Sequence, residues 1–567
     1  LALLGWVLVG GLVVVPQVAV GTWTPKVALA LTLVGPGLVS LVDQAIRRDG
    51  AACAGLALLG VGAVSTLLAH RPVLAAVGPY LFGTGLWFLA AVAGAWSLGR
   101  RLLTRYGAVL GAVLILVAVL NVVVAVLEHI LGARSYVFSH SSGRPPGLLG
   151  NPVHLGAFAA AAFSLVAGWV ASRATGVRGR ALLATVGLLT VLAVGVQLSG
   201  SRIALMAIVV AAALAAVRST GADRFLAGVA LVAGLSVAGG LPAGGDESLT
   251  GTQRVGLTSE AFGARLDAWR SGMQAVAERP LLGWGPGGFL AATSDSRTRR
   301  IVAANGSDGY YLDAHNAVVE TGVTLGLLGL SMWVAWWILA VRGASGPLVW
   351  LAAAIGACAL FQPQHVYLVP VAALAFGAAG RSPPATAAPP IRAVWLVVGA
   401  FGLLAGLFVA GVFVSGQWQV RRAYDRRDPH LLAIAERRLP WPEISLLRWQ
   451  FAGRRGLGGD TAAQREAIAA AEEAIRRDPR YPPAWNALGT AELDFGDPAR
   501  ARRAYRQALR LDPWSLRAML GLERLAAADG DRAEVRRWQR RACRIGPPAC
   551  RLARELARPP ARRPVRS

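Results

Sequence analysis

Runs of roughly 20 apolar residues, repeated through the first three quarters of the chain, restrict what this sequence can fold into more than any other feature. A run of that length crosses a bilayer's hydrocarbon core as an α-helix, which satisfies every backbone N–H and C=O internally. Such runs lie near 1–20, 25–42, 51–69, 73–98, 107–131, 152–171, 180–198, 202–217, 224–241, 316–341, 347–361, 366–380 and 392–415. The expected fold class is all-α: a polytopic transmembrane helix bundle of about 12–13 spans, with a large outer loop and a C-terminal helical-repeat domain. A chain of 567 residues with 55% hydrophobic and 16% charged residues is too apolar for an ordinary soluble enzyme. The first run has neither a basic leader nor a clear cleavage site and is read as an anchor that stays.

The net charge of +26 would suit a nucleic-acid binder, but the basic residues sit mainly in short loops and in the C-terminal segment, so no nucleic acid is expected as partner. Lys26 is the only lysine. Arginines at 47–48, at 100, 101 and 105, at 173, 178 and 180, at 218 and 224, and at 342 and 381 fall on alternate loops, which assigns those loops to the cytoplasm. The same alternation gathers 132–151, 199–202 and 242–313 on the outer side. The resulting division is 1–241 as N-terminal membrane helices, 242–313 as an extracytoplasmic loop, 314–415 as C-terminal membrane helices and 420–567 as the repeat domain. Gln362-Pro363-Gln364-His365 interrupts a long apolar stretch and can be an outer turn or a polar kink. The turn is preferred because one helix over 347–380 is too long for a single crossing. It sends the C-terminal domain outside, although Arg421, Arg422, Arg426 and Arg427 argue the other way.

Residues 381–391 read as a linker rich in Pro and Ala, and from about 420 the composition is that of a soluble, arginine-rich helical region. Asp478-Pro479 recurs as Asp512-Pro513, Gly496-Asp497 as Gly530-Asp531 and Ala474 as Ala508, each 34 residues apart. This period resembles tetratricopeptide repeats, which bind partners rather than catalyse. Two repeats and a fraction are few for a stable solenoid, so 420–470 is expected to add a helix pair, or the module to pack on the membrane domain. Cys543 and Cys550 either close the last hairpin as a disulfide, if the module lies outside, or remain packed thiols. Asp529-Gly530-Asp531 falls at a repeat turn and is read as structural rather than as a metal ligand set.

The outer loop carries Phe262, Leu266, Trp269, Met273 and Val276 at spacings of four and three, the stripe of an amphipathic helix. Arg265 stands near its start, where the helix dipole would favour an acid, and so invites an anion. The run Pro280-Leu281-Leu282-Gly283-Trp284-Gly285-Pro286-Gly287-Gly288 is a packing corner or, less often, a phosphate cradle. His315-Asn316 leads into an apolar helix, whose dipole favours the neutral imidazole a general base needs. A His at such an interface can equally be a hydrogen-bonded anchor. Arg202, in Ser199-Gly200-Ser201-Arg202, can hold an anion or snorkel to headgroups. Arg144, in another outer loop, is a third candidate cation, and Glu320 either orients its neighbours or is a buried, paired carboxylate.

Together, Ser-Gly-Ser-Arg before an apolar run, Arg265 and Trp269 on a helix leading into the glycine-rich turn, and His315-Asn316 with Glu320 and Gly322 resemble the O-antigen ligase/polymerase family over roughly 140–340. The resemblance implies a bacterial cytoplasmic-membrane glycosyltransferase, inverting, metal-independent and without cofactor. It would move a glycan from undecaprenyl diphosphate to a lipid, glycan or protein acceptor. Arg202 and Arg265, with Arg144 carried over more loosely, would hold the diphosphate, and His315 would activate the acceptor hydroxyl. Asn316 and Glu320 would support it. The competing classes are a lipid-linked oligosaccharide flippase, which would need polar groups near mid-bilayer, and a membrane-anchored repeat scaffold, which would leave His315 and Arg265 unexplained.

Overall fold

The computed structural model describes residues 1–80, 83–131, 144–173, 177–218, 259–381 and 392–556. Every regular element among them is a helix. The membrane part contains α1 (Ala2–Leu12), α2 (Thr24–Ile46), α3 (Gly50–Leu68), α4 (Pro72–Val77), α5 (Leu86–Leu98), α6 (Gly107–Leu131), α7 (Pro152–Ala171), α8 (Gly179–Ser199) and α9 (Arg202–Arg218). After α10 (Ser259–Glu278), α11 (Phe289–Thr293) and α12 (Arg299–Asn305) come α13 (Ala317–Val341), α14 (Pro347–Ala359), α15 (Leu368–Ala379) and α16 (Arg392–Arg426).

Seven helical stretches are long and apolar enough to cross a membrane, one of them the 46-residue Leu86–Leu131. Helices α1, α14 and α15 are apolar but shorter. The expected runs are corrected in two places. The run 1–20 is helical only to Leu12, and 73–98 is cut into α4 and α5 by a turn around Gly78 and Gly85. The expected run 224–241 and the first part of the 242–313 loop lie outside the described residues.

The central helix is α7, whose membrane-length window is 89% buried. Its Ala- and Gly-rich sequence lets α6, α8, α9 and α14 pack closely around it. By contrast α16 leaves Leu396, Phe401 and Phe408 74–75% exposed, a surface that is at home only against lipid. At one end of the bundle Arg47 and Arg101 reach Asp43 at 3.3 and 3.0 Å, Arg100 pairs with Asp49, and Arg100 Nε donates to the Arg381 carbonyl at 3.1 Å. Loops assigned to one side by their arginines thus meet at one end.

The glycine-rich turn is a packing corner. Trp284 and Gly285 N–H groups donate to the Val323 and Thr324 carbonyls at 2.9 Å, and Leu327 N–H donates to the Pro280 carbonyl at 2.7 Å. These bonds replace helical ones where α13 breaks at Gly326, whose φ of 69° and ψ of −173° belong to a region open almost only to glycine. A Cβ at Gly326 would stand 2.3 Å from the Leu281 carbonyl oxygen. Gly326→Ala is therefore expected to cost at least about 1–3 kcal/mol, read as a lower thermal midpoint of the purified full chain. An unchanged midpoint would show that the corner relaxes freely.

The C-terminal region is α17 (Pro429–Glu436), α18 (Pro442–Leu457), α19 (Thr461–Arg477), α20 (Pro482–Phe495), α21 (Pro498–Leu511), α22 (Leu516–Ala528), α23 (Arg532–Cys543) and α24 (Pro547–Leu556). Three helix pairs stack, α18 with α19 being the additional pair, and Cys543 is disulfide-bonded to Cys550 to tie α24 to α23. Repeated Asp residues cap the helices: Asp460 accepts from Ala463 N–H, Asp497 from Ala499 and Asp531 from Ala533. The Asp529–Asp531 string is thus a turn and cap, which accounts for its two carboxylates.

This region also docks on the rest of the chain. Arg297 and Asp512 form an ion pair of 2.8 Å with side chains 3% and 0% exposed. Tyr310 O–H donates to the same carboxylate at 2.8 Å, Trp441 Nε1 donates to the Gly78 carbonyl at 2.8 Å, and Arg480 lies over the Trp284 ring at 4.7 Å.

Candidate active site

At the end of the bundle opposite the arginine–aspartate cluster, five separate stretches of sequence meet around His315. Helix α13 starts at Asn316, whose side chain accepts from the Val318 and Val319 N–H groups at 2.9 and 3.1 Å. Asn316 is therefore an N-cap, a structural role. His315 precedes the cap with φ 51°, a left-handed conformation uncommon outside glycine. Glu320, in the first turn, is buried and accepts from the Ala314 N–H at 2.9 Å, which pulls the loop back over the helix start.

The strained backbone is held by Asp313, a residue the sequence reading passed over. Its Oδ1 accepts from the His315 backbone N–H at 2.8 Å and lies 2.5 Å from His315 Nδ1. A carboxylate on Nδ1 selects the tautomer with the proton there and leaves the Nε2 lone pair outward. Asp313 is 4% exposed at its side chain and His315 20%, so the carboxylate is shielded while the ring still reaches solvent. Tyr311 packs edge-on to the imidazole at 5.2 Å. The signal that could have found this pair was the Asp-x-His spacing just before a helix cap.

Helix α10 brings Arg265 alongside. Its Nη1 donates to the Phe361 carbonyl at 3.3 Å, and no acidic partner of Arg265 is found among the described residues. One turn further on, Trp269 Nε1 donates to the Ala314 carbonyl at 2.9 Å, so the same helix grips both the His315 loop and the α14–α15 turn. The stripe expected to pack is only partly the buried one. Ala264, Ala268, Ala275 and Val276 face the protein, whereas Phe262 and Met273 are 47% and 59% exposed.

The interruption at 362–365 is a turn, and it is part of the site. Gln362 Nε2 donates to Ser201 Oγ at 2.8 Å, which places Arg202 against the same turn as Arg265. His154, in the first turn of the central helix α7, meets the Pro363 carbonyl through Nε2 at 3.3 Å and stacks on His365 at 4.4 Å. His365 Nδ1 accepts from the Tyr367 and Leu368 N–H groups at 3.2 and 3.4 Å, at the start of α15. Arg144 arrives from a fourth direction and donates to the Ser199 carbonyl at 3.0 Å. Its loop is fastened by Lys26 Nζ on the Leu148 carbonyl at 2.8 Å, by Asn121 Oδ1 on Leu148 N–H at 3.1 Å and by Glu128 on Gly147 N–H at 2.9 Å. The single lysine therefore has a structural use that composition did not suggest. Arg144, Arg202, Arg265 and His315 thus share one end of the bundle, with the 361–365 turn between them.

Among the described residues no three His, Cys, Asp or Glu side chains stand together as a metal site.

Residues 187–334 match the family model described as O-antigen ligase. Over that span the chain is similar to the O-antigen ligase family. The match runs from α8 through most of α13 and so takes in Arg202, Arg265, Asp313 and His315. Arg144, His154 and the 361–365 turn, which pack at the same end of the bundle, lie outside the matched span. Residues 465–513 and 486–549 match tetratricopeptide repeat models, in agreement with the stacked helix pairs. No curated protein matches the chain. The match, in a bundle of apolar helices, supports a membrane glycan-ligation role, with an enzyme of ligase or glycosyltransferase type, and the repeats support protein interaction.

Proposed function

We propose that the chain transfers a glycan from undecaprenyl diphosphate to an acceptor hydroxyl on the outer face of the cytoplasmic membrane, with inversion and without a metal. The observation that carries this reading is the His315–Asp313 pair opening toward an end of the bundle where arginines from three separate elements converge.

His315 Nε2 takes the proton of the acceptor hydroxyl as its oxygen attacks the anomeric carbon. The bond from that carbon to the diphosphate oxygen breaks, and the lipid diphosphate leaves with one more negative charge. Arg265 and Arg202, with Arg144, offset that charge, because guanidinium forks bind phosphate oxygens bidentately and need no reorganisation when already fixed. One displacement, with acceptor and leaving group on opposite faces of the sugar, gives inversion. A cavity of about 260 Å³, apolar along most of its wall, runs from Ala317 and Gln364 beside the site down to Val92 and Phe376 and suits an isoprenyl tail. The candidate site's polar groups gather at an end of the bundle rather than at its middle, which favours transfer over flipping.

The outer-face assignment draws on three things: the arginines at the far end, the repeat domain packed on the site's own end, and the Cys543–Cys550 disulfide, which belongs to an oxidising compartment. The test is transfer of labelled glycan in proteoliposomes, with and without EDTA. Arg265→Lys is expected to lower kcat by about 10²-fold while the chain still folds, since lysine keeps the charge but loses the fork. Full activity in Arg265→Lys would remove this arginine from the diphosphate site, and movement of intact lipid without transfer would mark a flippase.

A further inference from the structure

A second cavity, of about 80 Å³, lies where the ligase-like span meets the first repeat. It is bounded by residues 69–80, by the glycine-rich turn, by the start of α18 and by the α19–α20 turn, and it reaches Leu312, three residues before His315. Four aromatic side chains wall it: Tyr80, Trp284, Trp441 and Tyr481. Between them stand His70, Arg71, Glu443 and Asp478.

Two buried polar atoms here have no hydrogen-bond partner, Glu443 Oε2 and Arg71 Nε. Such atoms cost on the order of 1–3 kcal/mol each unless something fills the space beside them. The volume is several times the roughly 10–15 Å³ that admits a single water, and the cavity is open to solvent on one side. It therefore has room for one small hydroxylated unit at its mouth and not for a chain. The charges are mixed: two carboxyl groups disfavour an anion, and Arg71 disfavours a cation. Acceptors and donors set between aromatic faces complement a ring that is apolar on its faces and hydroxylated at its edge.

We propose that this cavity is a carbohydrate subsite, which holds one neutral sugar unit of the glycan beside the reacting end. The inference rests on the glycan-transfer reading above and adds a site to it. Burial pushes the Glu443 carboxyl up to about 7, so near neutrality it can present a donor as well as an acceptor to hydroxyl groups, while Asp478 supplies an acceptor. Because both domains build the walls, docking of the repeats completes the subsite.

The test uses the full chain in nanodiscs and saturation-transfer NMR with methyl glycosides of neutral hexoses as probes. At least one glycoside is expected to saturate at millimolar concentration, with the signal falling fivefold or more in Glu443→Ala and in Leu290→Trp. The first variant removes the acceptor; the second fills the space from the opposite wall and removes no hydrogen bond. His315→Ala should leave the signal intact. Saturation by no glycoside, or saturation that survives both variants with unchanged thermal midpoints, overturns the subsite. Failure of the transfer reading would show separately, as transfer that does not depend on His315.

Discussion

His315→Ala is expected to lower the rate of glycan transfer by about 10²–10⁴-fold, the contribution typical of a positioned general base. The side chain is only partly buried, and its hydrogen bonds run through Asp313, so its loss should leave folding and donor binding in place. The decisive comparison is kcat against KM in proteoliposomes with labelled undecaprenyl-diphosphate glycan. A fall in kcat at constant KM for the donor is the signature of a group that acts on the acceptor proton. Asp313→Asn should reproduce part of the loss, because an amide can present its N–H to the ring and favour the tautomer whose Nε2 carries the proton. Turnover of His315→Ala at the level of the unaltered chain would end the assignment, whatever the arginine variants do.

Asp512→Ala is expected to destabilise the full chain by about 3–5 kcal/mol, since it strands the buried guanidinium of Arg297. That guanidinium also donates to the Ser307, Gly306 and Gly309 carbonyls at 3.0, 2.9 and 2.8 Å, and so holds the loop that leads to His315. The loss should therefore appear twice, as a lower thermal midpoint and as reduced transfer. Replacing both partners with apolar residues of similar volume, Arg297→Met with Asp512→Leu, should cost less than the single change, because neither charge is then left alone. If Asp512→Ala melts like the unaltered chain, the repeat domain is not fastened through this pair. If stability falls while transfer does not, the loop keeps its shape without the repeats.

Much of this organisation was legible in the residues. Apolar runs of bilayer length announced the helices, and arginines on alternate loops announced which ends would gather, because hydrocarbon and water impose those patterns on any chain. The 34-residue recurrence of Asp-Pro announced the repeats: Asp478 and Asp512 hold the turns between helices, and Asp497 and Asp531 cap helix starts. Of the site, His315, Arg265 and Arg202 stood out as charged or titratable groups at apolar boundaries. Asp313, His154 and Gln362 did not, since each looks locally like an ordinary loop or helix-start residue. Glu320 and Asn316 were visible, but only their hydrogen bonds separate loop-holding and capping from chemistry.

That the chain is helical, that most of it suits a bilayer, and that a repeat module follows could all be read from the residues segment by segment. These depend on periodicity and burial, which are local properties of a segment. Only the tertiary structure decided that the 362–365 interruption is a turn packed on Ser201, that Lys26 fastens the Arg144 loop, that Gly326 breaks α13 to receive the glycine-rich turn, and that the repeats lock onto Arg297. Each is a pairing between residues far apart in the chain, and the choice of partner is made by packing and by the cost of leaving a buried polar group unmet.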